Sequence, residues 1–303
     1  MDKLAPLFVI IAAMLWGIDG IVLTPALYGL PVPLVVFVES SIVAVILTPF
    51  FVRSFPEFRL LKEKDWLAFI GVALFGGAIG TMAITRALFY VNFVNLSIVV
   101  LIQKLQPVFA LVLATIILKE RLPKEFFVWA GLAIIGAYFM TFGLNFPDLN
   151  SGDKKSMAVL FALIASASFA ASTVLSKRAL RNVSHESGAY LRFLIASLIM
   201  TLIVVSSGEI IQIGTINQKQ ALIFLLIAFT TGGPAIFLYY YGLKRISASV
   251  ATICELAFPL TAVILEYVIR GHIMNTMQWV GVFILFVGII KVSRIKSEVI
   301  PAS

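Results

Sequence analysis

The sequence predicts an all-α integral membrane protein, with ten transmembrane helices arranged as two inverted five-helix repeats around a central cavity. Three observations lead there. The 303 residues are 61% hydrophobic and 13% charged, with a mean hydropathy of +1.05, which fits no soluble globular class. Ten apolar runs follow one another, each near the roughly 20 residues that cross a hydrocarbon core about 30 Å thick. Basic residues gather in every second loop.

In chain order the spans fall at 4–28, 33–52, 66–89, 95–117, 125–144, 156–176, 188–207, 220–241, 248–269 and 276–292. The first is too long and too uncharged at its start for a cleaved signal peptide, and it lacks a small-residue cleavage site, so it reads as a permanent helix. Arg53, Arg59, Lys62 and Lys64 follow the second span, and Lys119, Arg121 and Lys124 the fourth. Lys177, Arg178 and Arg181 follow the sixth, Lys244 and Arg245 the eighth, and Lys291, Arg294 and Lys296 the tenth. The alternate loops hold only Lys154, Lys155, Lys219 and Arg270. The positive-inside rule then puts both termini in the cytoplasm of a multi-pass cell-membrane protein. It also accounts for the formal charge of +8 without a nucleic-acid partner. The longest loops, 53–65 and 145–156, read as polar connectors rather than domains.

A single cysteine, Cys254, excludes an intramolecular disulfide, and neither His185 nor His272 has a partner at metal-ligand spacing. No metal and no cofactor is expected.

The halves 1–150 and 151–303 resemble one another at a shift of about 150 residues. Leu105-Gln106-Pro107 leads into a run ending at Lys119-Glu120, as Ala257-Phe258-Pro259 leads into one ending at Gly271-His272. Trp129-Ala130-Gly131 matches Trp279-Val280-Gly281, Gly76-Gly77 matches Gly232-Gly233-Pro234, and Glu39 stands where Arg192 does. Five spans per half is an odd number, so the second half must sit upside down relative to the first. Inverted repeats place a substrate site at their interface near the midplane.

Trp16-Gly17, Pro107 with Lys119-Glu120, Arg192 and the Pro259 copy resemble the EamA-type drug/metabolite transporter superfamily over about residues 4–292. The resemblance implies a ten-helix basket whose cavity is lined by helices one to four and six to nine, with the fifth and tenth peripheral. It implies movement of small metabolites such as amino acids, nucleotide sugars, sugar phosphates, vitamins and amines, often coupled to protons or exchange. Three positions depart from the pattern: Glu39 where an arginine is common, Lys104 where the family is usually neutral, and His272 for a glutamate.

Charges at bilayer depth are the candidate site, because each costs roughly 2.5–3.5 kcal/mol unless it pairs or faces a wet cavity. Lys104 lies about 14 Å into its helix, among Gln103, Gln106 and Pro107. It either binds a substrate carboxylate or phosphate, or pairs with Asp19, Glu39 or Glu255. Glu255, about 10 Å deep, suits proton coupling or a permanent pair with Lys104. Asp19, beside Gly20 and Pro25, can bind an amine, carry a proton or pair with a cation. Glu39 and Arg192, roughly 9 Å and 6 Å in, read as gating residues or as side chains snorkelling to the interface. Glu266, nearly on the face of Glu255, reads as a gate. Trp16 and Tyr239 offer aromatic walls for a substrate. Pro107, Pro259, Gly76, Gly77, Gly232, Gly233 and Pro234 are hinge candidates or close-packing positions. Gly131 with Gly136, and Gly281 with Gly288, serve either a dimer contact or intramolecular packing, leaving monomer or homodimer open.

The function expected is secondary active transport of a small polar or zwitterionic metabolite by alternating access, with amino-acid export favoured and protons as the coupling ion. A carrier of anions such as nucleotide sugars or sugar phosphates is the runner-up. A membrane enzyme or lipid-handling protein is the alternative of another class, and no nucleophile or metal motif supports it.

Overall fold

In hydrocarbon a backbone must satisfy its own N–H and C=O groups, and a single segment does so only as a helix. The structure, a computed structural model, describes residues 4–51, 55–90, 99, 102–145, 153–270, 274–295 and 298–299, nearly all helical. Nine stretches among them are long and apolar enough to span: Ala5–Leu27, Val32–Phe51, Glu63–Ile84, Lys124–Phe142, Ser156–Ala179, His185–Ser206, Gln218–Arg245, Ala248–Ile269 and Thr276–Ser293. A shorter apolar helix, Gln106–Leu118, completes the ten as the fourth. The fourth span was expected from residue 95; residues 95–98, 100 and 101 lie outside the described residues. The connector at 53–65 contains a short helix, Phe55–Phe58.

Polar residues mark the helix starts. Ser184 and Ser247 accept hydrogen bonds from the N–H of Ser187 and Val250. Asn217 and Asn275 form reciprocal capping boxes with Gln220 and Gln278. Each such cap contributes about 1 kcal/mol.

Several helices are not regular. The first widens into a π-helical stretch at Asp19–Leu23 and tightens at Thr24–Leu27. The third carries a π-helical stretch at Ala73–Ile79, holding Gly76 and Gly77, and the eighth carries one at Ala228–Gly232, just before Gly233-Pro234. The fourth has another at Ala114–Leu118. Insertions of this kind leave a carbonyl without its usual partner and often mark functional positions.

The fifth and tenth helices pack on each other along their small residues. A Cβ on Gly136 would stand 2.5 Å from the Leu285 nitrogen, and one on Gly288 2.8 Å from the Ala133 Cβ. Intramolecular packing therefore uses Gly136, Gly281 and Gly288, whereas Gly131 faces open space. Elsewhere Gly76 backs onto Ser172 of the sixth helix, and Gly17 onto the Phe258 carbonyl of the ninth.

The loops after the second, fourth, sixth and eighth spans meet at one face. Glu57 accepts from the Ser184 N–H and hydroxyl at 3.3 and 3.2 Å. Asn182 donates to Asp65 at 2.9 Å, and Lys177 to the Leu243 and Lys244 carbonyls at 2.8 and 3.0 Å. The buried Glu120 carboxylate accepts from the N–H groups of Ala248 and Ser249 and from the Ser249 hydroxyl. Its strand, Glu120–Arg121, pairs antiparallel with Glu298–Val299, which brings the tail to the same face.

Candidate functional site

The fourth and ninth helices are both broken one turn before a proline. Proline has no N–H and disfavours helical backbone in the residue before it, so the chain tightens there. Leu105 N–H bonds the Ile102 carbonyl at 3.0 Å, and Leu256 N–H bonds that of Ile253 at 3.1 Å, each an i→i+3 turn. Helix then resumes at Gln106 and at Ala257.

Glu255 stands in the second of these breaks and is the hub of the site. Gln106 Nε2, from the matching break, donates to its Oε2 at 2.8 Å. Tyr239 of the eighth helix donates to Oε1 at 2.7 Å, and Thr173 of the sixth reaches Oε1 at 3.3 Å. Tyr239 and Thr173 are themselves 3.0 Å apart and buried. Trp16 of the first helix lies against Tyr239, with ring centroids 5.2 Å apart and planes tilted by 55°. Trp16, Gln106 and Glu255 stay half-buried, so this cluster keeps one open side. Five helices thus converge on one carboxylate.

Arg192 lies behind this cluster. Its Nη1 donates to the Tyr240 hydroxyl at 3.5 Å, its guanidinium stands 5.9 Å from that ring's centroid, and Ser176 shares the hydroxyl at 3.0 Å. Arg192 also reaches electrostatically to Glu255. Of the two alternatives read for it from the sequence, these contacts do not fit a side chain snorkelling to the interface. The Arg192 guanidinium lies near Gly76, 3.6 Å from where a Cβ would sit.

Lys104 does not join Glu255. It is 5% exposed, and its Nζ has no hydrogen-bond partner among the described residues. The alternative of an ion pair with Glu255 is not formed, for a local reason: Gln106 faces Glu255, and side chains two positions apart on a helical turn point to opposite sides. Gln103, half-buried in the same turn, is likewise not among the partners of Glu255.

A second polar group forms around Asp19. Thr24 Oγ1 donates to its Oδ1 at 3.1 Å, and Glu39 of the second helix lies within electrostatic reach. Asp19 and Glu39 are thus neighbours of one another, and neither forms an ion pair among the described residues. Glu266 lies on the Ala257–Arg270 helix with its side chain outside the described residues, and His272 lies outside them altogether. Thr173 and Ser176 were missed by the sequence reading. The run of Ser166, Ser168, Ser172, Thr173 and Ser176 on one apolar helix was the available signal.

This arrangement offers an aromatic wall, a hydrogen-bonded carboxylate and an amide on an open side. Among the described residues no group of three or more His, Cys, Asp or Glu gathers as metal ligands.

Comparison with known proteins agrees with this architecture. The chain is 41% identical over 290 residues to the riboflavin transporter ImpX of Fusobacterium nucleatum, covering 95% of this chain and 97% of that one. It is 26% identical over 301 residues to the uncharacterized transporter YwfM of Bacillus subtilis, covering 95% and 93%. A solved crystal structure superposes with a TM-score of 0.73 at 15% identity, covering 96% of each chain, which supports the fold alone. The sequence profile of the EamA-like transporter family matches twice, at residues 3–142 and 156–294. The chain belongs to the EamA-like transporter family.

Proposed function

We propose that this transporter carries riboflavin, or a closely related flavin, through a site built on Trp16, Gln106, Tyr239 and Glu255. The observation that carries the reading is its 41% identity to a riboflavin transporter over nearly the full length of both chains. The chemistry of the site agrees. A flavin is a flat fused-ring system with an imide edge and a polyhydroxyl tail. The half-buried Trp16 ring, backed by the buried Tyr239 ring 5.2 Å away, offers aromatic surface to the ring system. Gln106 and Glu255 offer an amide and a carboxylate to imide or hydroxyl groups. The amino-acid cargo expected from the sequence rested on an ammonium beside a carboxylate, and Lys104 is not among the partners of Glu255. Riboflavin therefore replaces it as the preferred substrate.

The mechanism proposed is alternating access by the repeats 1–150 and 151–303, inverted relative to one another. The matched breaks before Pro107 and Pro259, joined by the Gln106–Glu255 hydrogen bond, support it. Gly76, Gly77 and Gly232, in widened turns, and Gly233-Pro234, just after one, serve as hinges. The basic residues of alternate loops support cytoplasmic termini in the cell membrane.

The test is riboflavin flux into proteoliposomes, with binding followed by quenching of flavin fluorescence. Wild-type protein is expected to carry riboflavin above protein-free vesicles. Trp16→Ala and Glu255→Gln are expected to weaken binding by roughly tenfold or more, which corresponds to about 1.4 kcal/mol. Flux no greater than in empty vesicles, or binding unchanged in both variants, rejects the reading.

A further inference from the structure

Away from the Glu255 cluster, the first, second and eighth helices meet beside the widened turns of the first and eighth. The Ala228–Gly232 stretch touches both the first and second helices, and the start of the eighth helix touches Asp19–Leu23. Gly233 lies beside Val43 of the second helix, whose Cγ1 is 3.4 Å from where a Cβ would sit. Four oxygen-bearing side chains gather there. Thr24 Oγ1 bonds Asp19 Oδ1, and Glu39 faces Asp19 from the second helix. Thr231, in the eighth helix's widened turn, is turned toward the same carboxylate. It is 2% exposed, and its hydroxyl completes no hydrogen bond of normal geometry.

Two features of this group call for a ligand. A hydroxyl buried without a partner costs about 1–3 kcal/mol, and the Thr231 oxygen, turned toward Asp19 without completing a hydrogen bond, is placed to serve as a ligand. Asp19 and Glu39 lie within electrostatic reach of one another inside the membrane, and no lysine or arginine pairs with either among the described residues. A hard cation is bound by oxygen ligands, and unwound helical turns add carbonyls to such a set.

We propose that Asp19, Thr24 and Thr231, with Glu39 beside them, form a sodium-ion site between the first, second and eighth helices, separate from the cargo site. Na⁺ held there offsets the paired carboxylates and draws the eighth helix onto the first and second. Binding of the ion thereby favours one arrangement of the two halves and couples it to transport. The inference goes beyond the riboflavin reading and does not depend on it.

The experiment is thermal unfolding of the detergent-purified full chain in NaCl against choline chloride, at equal ionic strength and fixed pH, without riboflavin. Tm is expected to rise with the logarithm of Na⁺ concentration in the wild type. Asp19→Asn and Thr231→Val are expected to abolish that rise, while Glu255→Gln retains it. Thr24→Val provides a milder variant should Asp19→Asn fail to fold, and it is expected to raise the Na⁺ concentration needed by several-fold. Equal Tm in sodium and choline overturns the proposal, as does a sodium response that survives Thr231→Val and Thr24→Val. Stabilisation that follows pH and ignores sodium assigns the site to protons and overturns it equally. A sodium response in a protein that moves no riboflavin leaves the ion site standing and rejects the flavin.

Discussion

At the scale of single residues, the site depends on how Glu255 is satisfied. An intramembrane carboxylate is costly, and three donors from three other helices compensate it. Tyr239→Phe removes the shortest of these bonds, at 2.7 Å, and leaves the Trp16 stacking surface in place. Cargo binding, measured by fluorescence titration, is expected to weaken by several-fold while Tm falls by only a few degrees. An unchanged affinity would show that the carboxylate is held well enough without the phenol. The sequence singled out Glu255, Gln106, Tyr239 and Trp16, because charge, amide or aromaticity at depth is visible residue by residue. It did not pair Gln106 rather than Lys104 with Glu255. That choice turns on which side of a broken turn each side chain leaves, and the turn is set by Pro107.

At the scale of elements, helix length and hydropathy come from the sequence, and close approach comes from glycine. A Cβ on Gly281 would meet the Phe139 carbonyl carbon at 2.6 Å and the Gly136 oxygen at 2.8 Å, both backbone atoms that cannot swing aside. Gly281→Ala is therefore expected to cost about 1–3 kcal/mol by overpacking. Gly131 has nothing within 4 Å, so Gly131→Ala is expected to gain up to about 1 kcal/mol from helix propensity. Thermal unfolding of the two variants distinguishes the signs, and a loss at both positions would contradict the packing described. The same element scale holds what the sequence hid. Widened turns at Asp19–Leu23 and Ala228–Gly232 leave no periodic mark in a helix that is apolar all round.

At the scale of the whole molecule, one face is tied together by loops from four hairpins. Burial pushes the Glu57 carboxyl up, but the nearby Ser187 hydroxyl, the two Ser184 hydrogen bonds and the charge of Lys244 outweigh it and hold it below its ordinary 4.5. Its stabilisation is thus present above the unfolded value and lost as pH falls through the depressed folded value. Tm is expected to drop below about pH 4.5, and Glu57→Gln is expected to flatten part of that drop. A profile identical in the variant would remove Glu57 from the explanation. The sequence by itself determined ten helices, their order and the resemblance between halves. Those follow from local rules, since twenty apolar residues must form a helix to cross hydrocarbon. Only the tertiary structure decided which polar atoms meet. Gln106 and Glu255 are 149 residues apart, and Thr173 and Glu255 are 82. Contact at such separations depends on how each helix is rotated about its axis and where it breaks. In a helix without a polar face, hydropathy carries no record of that rotation.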